Sequence, residues 1–132
     1  MIDAAEIRGV LDASAVLAFA LREPGYEIVG AAFDGGAISS VNWSEVLQKV
    51  LASGKSPAEL STEFFGLGLR IVPFTAEDAE AAALLWPATR ALGLSLGDRA
   101  CLTLGLQRRC PVFTADRSWR QLSLDLDIRM IR

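Results

Sequence analysis

Short apolar runs alternate with longer helical stretches along this chain, and that alternation restricts it to a small set of folds. The runs are Gly9-Val10-Leu11-Asp12, Ala37-Ile38-Ser39, Arg70-Ile71-Val72, Val112-Phe113-Thr114 and a last one over 127–131. Breaks such as Glu23-Pro24-Gly25, Gly35-Gly36 and Ser53-Gly54 delimit helical segments between them. The spacing predicts helices over 15–21, 26–33, 42–51, 57–66, 75–89 and 96–108, with a short one over 117–122. Thr75-Ala-Glu-Asp has the Ser/Thr-x-x-acid pattern of a helix start, and Pro87 is expected to kink or end that helix. The 96–108 segment is apolar nearly all round and is expected to lie buried against the sheet. The fold class is therefore α/β, with a mostly parallel central sheet of about five strands, flanking helices and right-handed crossovers. No repeat, linker or low-complexity segment divides the chain, so residues 1–132 are expected to form one domain.

At 52% hydrophobic and 22% charged residues, the composition excludes a disordered chain. No run approaches the ~18 uncharged apolar residues of a membrane span, so no membrane association is expected. Residues 1–6 lack a basic region followed by an apolar core, and no signal peptide is expected. Cys101 falls in a helical pattern and Cys110 just before a strand. Both are read as reduced, packed thiols, which fits a cytoplasmic protein.

The chain has no histidine. Ser-His-Asp and Cys-His nucleophile systems are thereby excluded, as are imidazole-ligated zinc sites. Acid–base work falls to carboxylates, tyrosine, lysine or water activated by a metal. The net charge of −3 conceals an uneven distribution. Residues 1–80 hold twelve acids and five bases, whereas residues 81–132 hold four acids and eight bases. A polyanion responds to local field more than to overall charge, so this balance permits a nucleic-acid partner. Solvated surface arginines also account for it, and composition alone favours that account.

Four acids stand where apolar runs end or helices begin: Asp12, Glu45, Asp98 and Asp116. In an open parallel sheet, strand ends of this kind form the edge at which ligands bind. If the four converge, they make an all-oxygen site suited to Mg²⁺ or Mn²⁺. Each also has a local explanation, because an acid at a helix N-terminus satisfies free backbone N–H groups and favours the helix dipole. Asn42-x-x-Glu45 and Ser95-x-x-Asp98 both have the spacing of capping boxes. Asp12 resists that account, since it ends a strand expected at the sheet centre. Burying an ion there costs several kcal/mol unless it is paired. The next eleven residues supply only Arg22 as a base.

The ordered set resembles the PIN-domain ribonucleases, and within them the VapC-like toxins of bacterial toxin–antitoxin pairs. The matching pieces are Val10-Leu11-Asp12-Ala13-Ser14, Asn42-Trp43-Ser44-Glu45, Leu94-Ser-Leu-Gly-Asp98-Arg-Ala-Cys-Leu102 and Val112-Phe-Thr114-Ala-Asp116-Arg117. Order, spacing and chain length agree over essentially the whole sequence.

The resemblance implies that Asp12, Glu45, Asp98 and Asp116 form an acidic cluster that binds Mg²⁺ or Mn²⁺ and hydrolyses RNA phosphodiester bonds. Ser14 and Thr114 match hydroxyl positions that orient ligands or touch substrate, with local turn bonding as the alternative. Arg117 matches a basic position able to meet phosphate, with a solvated arginine as the alternative. Trp119 is expected to pack rather than stack on a base. Some relatives carry another acid beyond the last motif, and Ser118, Trp119 and Arg120 supply none. The resemblance further implies a cognate antitoxin partner, with Phe64-Phe65 as a candidate groove, and a homodimer.

Two rival functions remain. A phosphatase or phosphotransferase with Asp12 as covalent nucleophile resembles haloacid-dehalogenase-like enzymes, but those place a second acid where Ser14 stands. A non-catalytic metal-binding or scaffolding α/β domain is the other. A receiver-like version needs a late strand-end lysine, and the only lysines are Lys49 and Lys55.

Overall fold

A computed structural model describes residues 7–132. The reading of residues 1–6 lies outside the described residues. Five strands form one sheet: β1 (Gly9–Leu11), β2 (Gly36–Ser39), β3 (Arg70–Val72), β4 (Val112–Thr114) and β5 (Ile128–Met130). Their order is β3-β2-β1-β4-β5 and every pairing is parallel. β1 is central. The chain steps outward from β1 through β2 to β3, then returns to place β4 on the other side of β1. The gap above β1 and β4 is thus the point where the connections diverge, the usual ligand position in such sheets.

Successive residues of β1 point to opposite faces, so each strand feeds two cores. Leu11 and Ile38 pack with α1 (Ala13–Ala20), α2 (Tyr26–Ala32), α3 (Ser40–Ala52) and α4 (Pro57–Gly66). Phe19, Phe33 and Phe64 meet there with ring centroids 4.8–5.4 Å apart. Val10, Ala37 and Val112 face the other core, built around Cys101, Leu102 and Leu104 of α7 (Leu96–Arg108) and Trp119. As its composition predicts, α7 is buried from Ala100 to Gly105. Both cysteines are free and buried.

The structure corrects three helix boundaries. α1 starts at Ala13, two residues early, because the Asp12 carboxylate caps it by accepting the Ala15 amide. α3 starts at Ser40, because Ser39 is its cap and accepts the Val41 amide. Asn42 therefore sits inside the first turn and is not a cap. The 75–89 helix divides into α5 (Ala76–Leu84) and α6 (Trp86–Thr89). Pro87 has no amide to donate and is accommodated only in the first turn of the second piece. A 3-10 turn, Arg90–Leu92, links α6 to the Gly93 bend before α7, and a second, Arg117–Gln121, replaces the short helix expected after β4.

Candidate active site

The register of β1 and β4 sets the centre of the site. Val10 pairs with Val112 and Leu11 with Phe113, so Asp12 emerges beside Thr114. The Asp12 amide continues the ladder by donating to the Phe113 carbonyl at 3.1 Å. Its side chain is 5% exposed and carries three hydrogen bonds. Oδ1 accepts from Ser14 Oγ at 2.7 Å and from the Ala15 amide at 2.8 Å. Oδ2 accepts from Thr114 Oγ1 at 2.5 Å. The two hydroxyls are themselves fixed from β4. Ser14 Oγ accepts the Ala115 amide at 2.9 Å, and Thr114 Oγ1 accepts the Asp116 amide at 3.0 Å.

Burial pushes the Asp12 carboxyl up from 3.8 to about 6, against the lowering effect of those three donors; the nearby charge of Asp98 adds to the rise. Three good hydrogen bonds do not offset the desolvation of the ion. An Asp12 anion is therefore incompletely compensated by the protein itself.

The other three acids arrive from separate helices or turns. α3 carries Glu45, whose Oε1 accepts from Asn42 Nδ2 at 3.0 Å. α7 carries Asp98 in a capping box with Ser95: the Ser95 amide donates to Asp98 Oδ2 at 2.8 Å, and Asp98's amide donates to Ser95 Oγ at 3.2 Å. Asp116 caps the Arg117–Gln121 turn, with Oδ1 accepting the Ser118 amide at 3.0 Å and the Ser118 hydroxyl at 2.8 Å. For Asp98 and Asp116 the capping and the convergence readings hold at once; Glu45 lies inside α3 and caps nothing. Asp12, Glu45, Asp98 and Asp116 all line one cleft of about 200 Å³, together with Ser14, Asn42 and Lys49.

As the side chains stand, no three acids among the described residues form a ready-made metal cage. The local bonds explain this, since each carboxylate is drawn toward its own cap or neighbour. Among the described residues, those bonds occupy only Oε1 of Glu45, Oδ2 of Asp98 and Oδ1 of Asp116. The second oxygen of each has no donor among the described residues. Carboxylate oxygens with no competing nitrogen or sulfur are the donor set that hard divalent ions take, so the residues present fit Mg²⁺ or Mn²⁺.

Thr114 lies beneath the cleft rather than on its wall, fully buried against Asp12. Arg117 is exposed on the turn, outside the cleft lining, with no hydrogen bond or ion pair among the described residues. Trp119 is 1% exposed and packs in the core, as expected. Sequence reasoning missed Asn42 as a bridging side chain and Lys49 as a cleft residue. Lys49 follows Glu45 by four positions, the helical interval that places two side chains on one face, and that spacing was the available signal. Three larger concavities, of about 870, 470 and 410 Å³, lie elsewhere among the described residues and do not gather these acids.

The PIN domain family model matches residues 9–124, which spans all four acids. The chain belongs to the PIN domain family. Comparison of the sequence with curated proteins finds no match. Solved structures share the PIN fold at low identity. A protein of a toxin–antitoxin complex from Klebsiella pneumoniae superposes with a TM-score of 0.75 at 14% identity, covering 94% of this chain and 98% of that one. One from a DNA-bound VapBC complex of Salmonella typhimurium gives 0.67 at 14% identity, covering 96% and 99%. One from FitAcB of Neisseria gonorrhoeae gives 0.57 at 22% identity, covering 91% and 95%. No described helix is long and apolar enough to cross a membrane.

Proposed function

We propose that this PIN domain is a Mg²⁺- or Mn²⁺-dependent endoribonuclease and the toxin of a toxin–antitoxin pair. The observation that carries the reading is the cleft itself. Four acids from four separated segments open onto it at the sheet's divergence point, and one of them is buried with a carboxyl displaced upward by desolvation. A bound divalent ion supplies charge neutralisation and Lewis-acid activation of water and of the phosphate.

The chain's own groups do the positioning. Asp12, Asp98 and Asp116 would hold the cation, and Glu45, carried by α3, would bind a second ion or hold the attacking water. Ser14 and Thr114 keep the Asp12 oxygens oriented, and Oδ2, which accepts a single hydrogen bond among the described residues, retains a lone pair for the ion. Lys49, exposed at the rim, is the cationic group within the cleft lining and meets the phosphate backbone. Arg117 extends that positive edge beside Asp116.

The antitoxin partner, the homodimer and a cytoplasmic setting belong to the same proposal. The toxin–antitoxin complexes among the fold's neighbours support the partner. Phe64 and Phe65 do not make a groove together: Phe64 is buried in the aromatic core, whereas Phe65 is half-exposed beside Trp43. The covalent phosphatase alternative is disfavoured, because Ser14 stands where those enzymes place a second acid, and its hydroxyl donates to Asp12 Oδ1.

The test is RNA cleavage by the purified chain with Mn²⁺, with EDTA, and after co-purification with the product of the adjacent gene. Cleavage that needs the ion, stops with EDTA and is suppressed by the partner is expected. An aspartyl-phosphate trapped on Asp12, or ion binding without turnover of any RNA, refutes the reading in favour of its two rivals.

A further inference from the structure

One buried side chain in the cleft wall is not accounted for by the acids. Asn42 is 2% exposed, and its Nδ2 donates twice: to Glu45 Oε1 at 3.0 Å on its own helix and to the Gly97 carbonyl at 2.9 Å on α7. Both accepting atoms are oxygens, so the orientation of the amide is fixed by its partners. The cost of that orientation is that Oδ1 is buried with no partner among the described residues. Buried polar groups normally find one. What the amide nitrogen does must therefore outweigh an orphaned acceptor.

The second half of the arrangement is Gly97. A Cβ built on it collides with Glu45 Oε1, and lies 3.0 Å from Glu45 Cδ. The Glu45 carboxylate therefore rests against bare backbone at the first turn of α7, one residue before Asp98. The missing methyl creates the space and the Asn42 amide holds the carboxylate in it. One contact keeps Glu45 near Asp98; the other ties the two helices at that spacing.

We propose that Asn42 and Gly97 are positioning residues that preset Glu45 for the metal ion. The proposal rests on the reading of the cleft as a divalent-metal centre. It assigns the α3–α7 bridge to ion affinity and not to fold stability. Losing a neighbour that orients a metal ligand typically lowers affinity by about 10–100-fold.

Mn²⁺ titration of the full chain, followed by electron paramagnetic resonance without RNA, tests this directly. Asn42→Ala is expected to weaken Mn²⁺ binding at least tenfold. Gly97→Ala is expected to do the same by displacing only the flexible end of Glu45. Its metal-free melting temperature should stay level or rise, since alanine favours a helix over glycine. That opposite movement separates positioning from general damage and remains readable if Asn42→Ala folds poorly. In a Glu45→Ala background, both substitutions should leave Mn²⁺ affinity unchanged within twofold.

Wild-type affinity in Gly97→Ala overturns the proposal, as does a further tenfold loss when either change is added to Glu45→Ala. In both cases the metal-centre reading survives, because the wild-type chain still binds Mn²⁺. A wild-type chain that binds no Mn²⁺ overturns the two together.

Discussion

The Thr114 hydroxyl donates to Asp12 Oδ2 at 2.5 Å while accepting the Asp116 amide at 3.0 Å. One fully buried hydroxyl thus joins the end of β1 to the start of the turn that carries the last acid. It fixes two of the four cleft carboxylates relative to each other, through one side chain and one backbone group.

Replacing Thr114 with valine keeps the volume and removes both functions of the hydroxyl. Asp12 Oδ2 and the Asp116 amide each lose a partner, at a cost of ~1–3 kcal/mol for each group left unsatisfied. Donation from Thr114 also lowers the Asp12 carboxyl, so its loss moves that carboxyl further upward. The acid limb of the cleavage profile should therefore shift to higher pH, measured as initial rate against pH at saturating Mn²⁺. An unmoved limb separates Thr114 from the ionisation of Asp12.

Asp12→Asn is expected to abolish cleavage while stabilising the metal-free fold at neutral pH. The Asp12 carboxyl sits at about 6 in the folded chain, against 3.8 for the unfolded reference. Its contribution to stability is complete below about 3.8 and lost as pH rises through about 6, where the folded state must bury an anion. Asparagine removes that loss. The variant should gain roughly 2–3 kcal/mol over wild type at pH 7–8, an upper bound from the shift alone. The gain should fade near pH 4. Thermal unfolding across this range in EDTA checks it, and a variant less stable than wild type at pH 8 contradicts the assigned cause.

Mn²⁺ should remove the same penalty by a different route. An ion that binds only the folded chain stabilises it by ~2.7 kcal/mol at a concentration 100 times its dissociation constant. The melting temperature of the wild type should rise with Mn²⁺ at pH 7.5 and rise less at pH 5, where protons compete for Asp12. Asp12→Asn should show little increase at either pH. Differential scanning fluorimetry over a Mn²⁺ series is sufficient, and an equal rise in both proteins places the ion elsewhere.

Much of this architecture was legible in the sequence because its signals are local. Strand runs bounded by glycine and proline yielded the order of elements, and Ser95-x-x-Asp98 proved to be a true capping box. Asn42-x-x-Glu45 has the same spacing and is not one, because Ser39 captured the cap three residues earlier. Which residue caps α3 depends on where β2 stops, and that is decided by its pairing with β1 and β3. That Asp98 and Asp116 fill both roles at once was not legible. Spacing shows that Asp98 and Asp116 can cap, but only the sheet order 3-2-1-4-5 brings them to one cleft with Asp12 and Glu45. The Asn42–Gly97 bridge spans 55 residues, and no periodicity within either helix encodes it.

Lys49 gives the sharpest division between ion and substrate. It stands one turn beyond Glu45 at the cleft rim, and its exposed ammonium adds positive charge where the acids crowd. Lys49→Ala should therefore leave Mn²⁺ affinity unchanged or slightly tighter, since a competing cation is removed. RNA binding should weaken several-fold, because a phosphate contact is lost, and the salt dependence of binding should become shallower by about one unit of logarithmic slope. The effect should fall on KM more than on kcat. Fluorescence anisotropy with a short single-stranded RNA and an Asp12→Asn background, which prevents cleavage, measures the binding arm over 50–200 mM salt. Weakened Mn²⁺ binding with unchanged RNA affinity would reverse the assignment and make Lys49 a support for the acids.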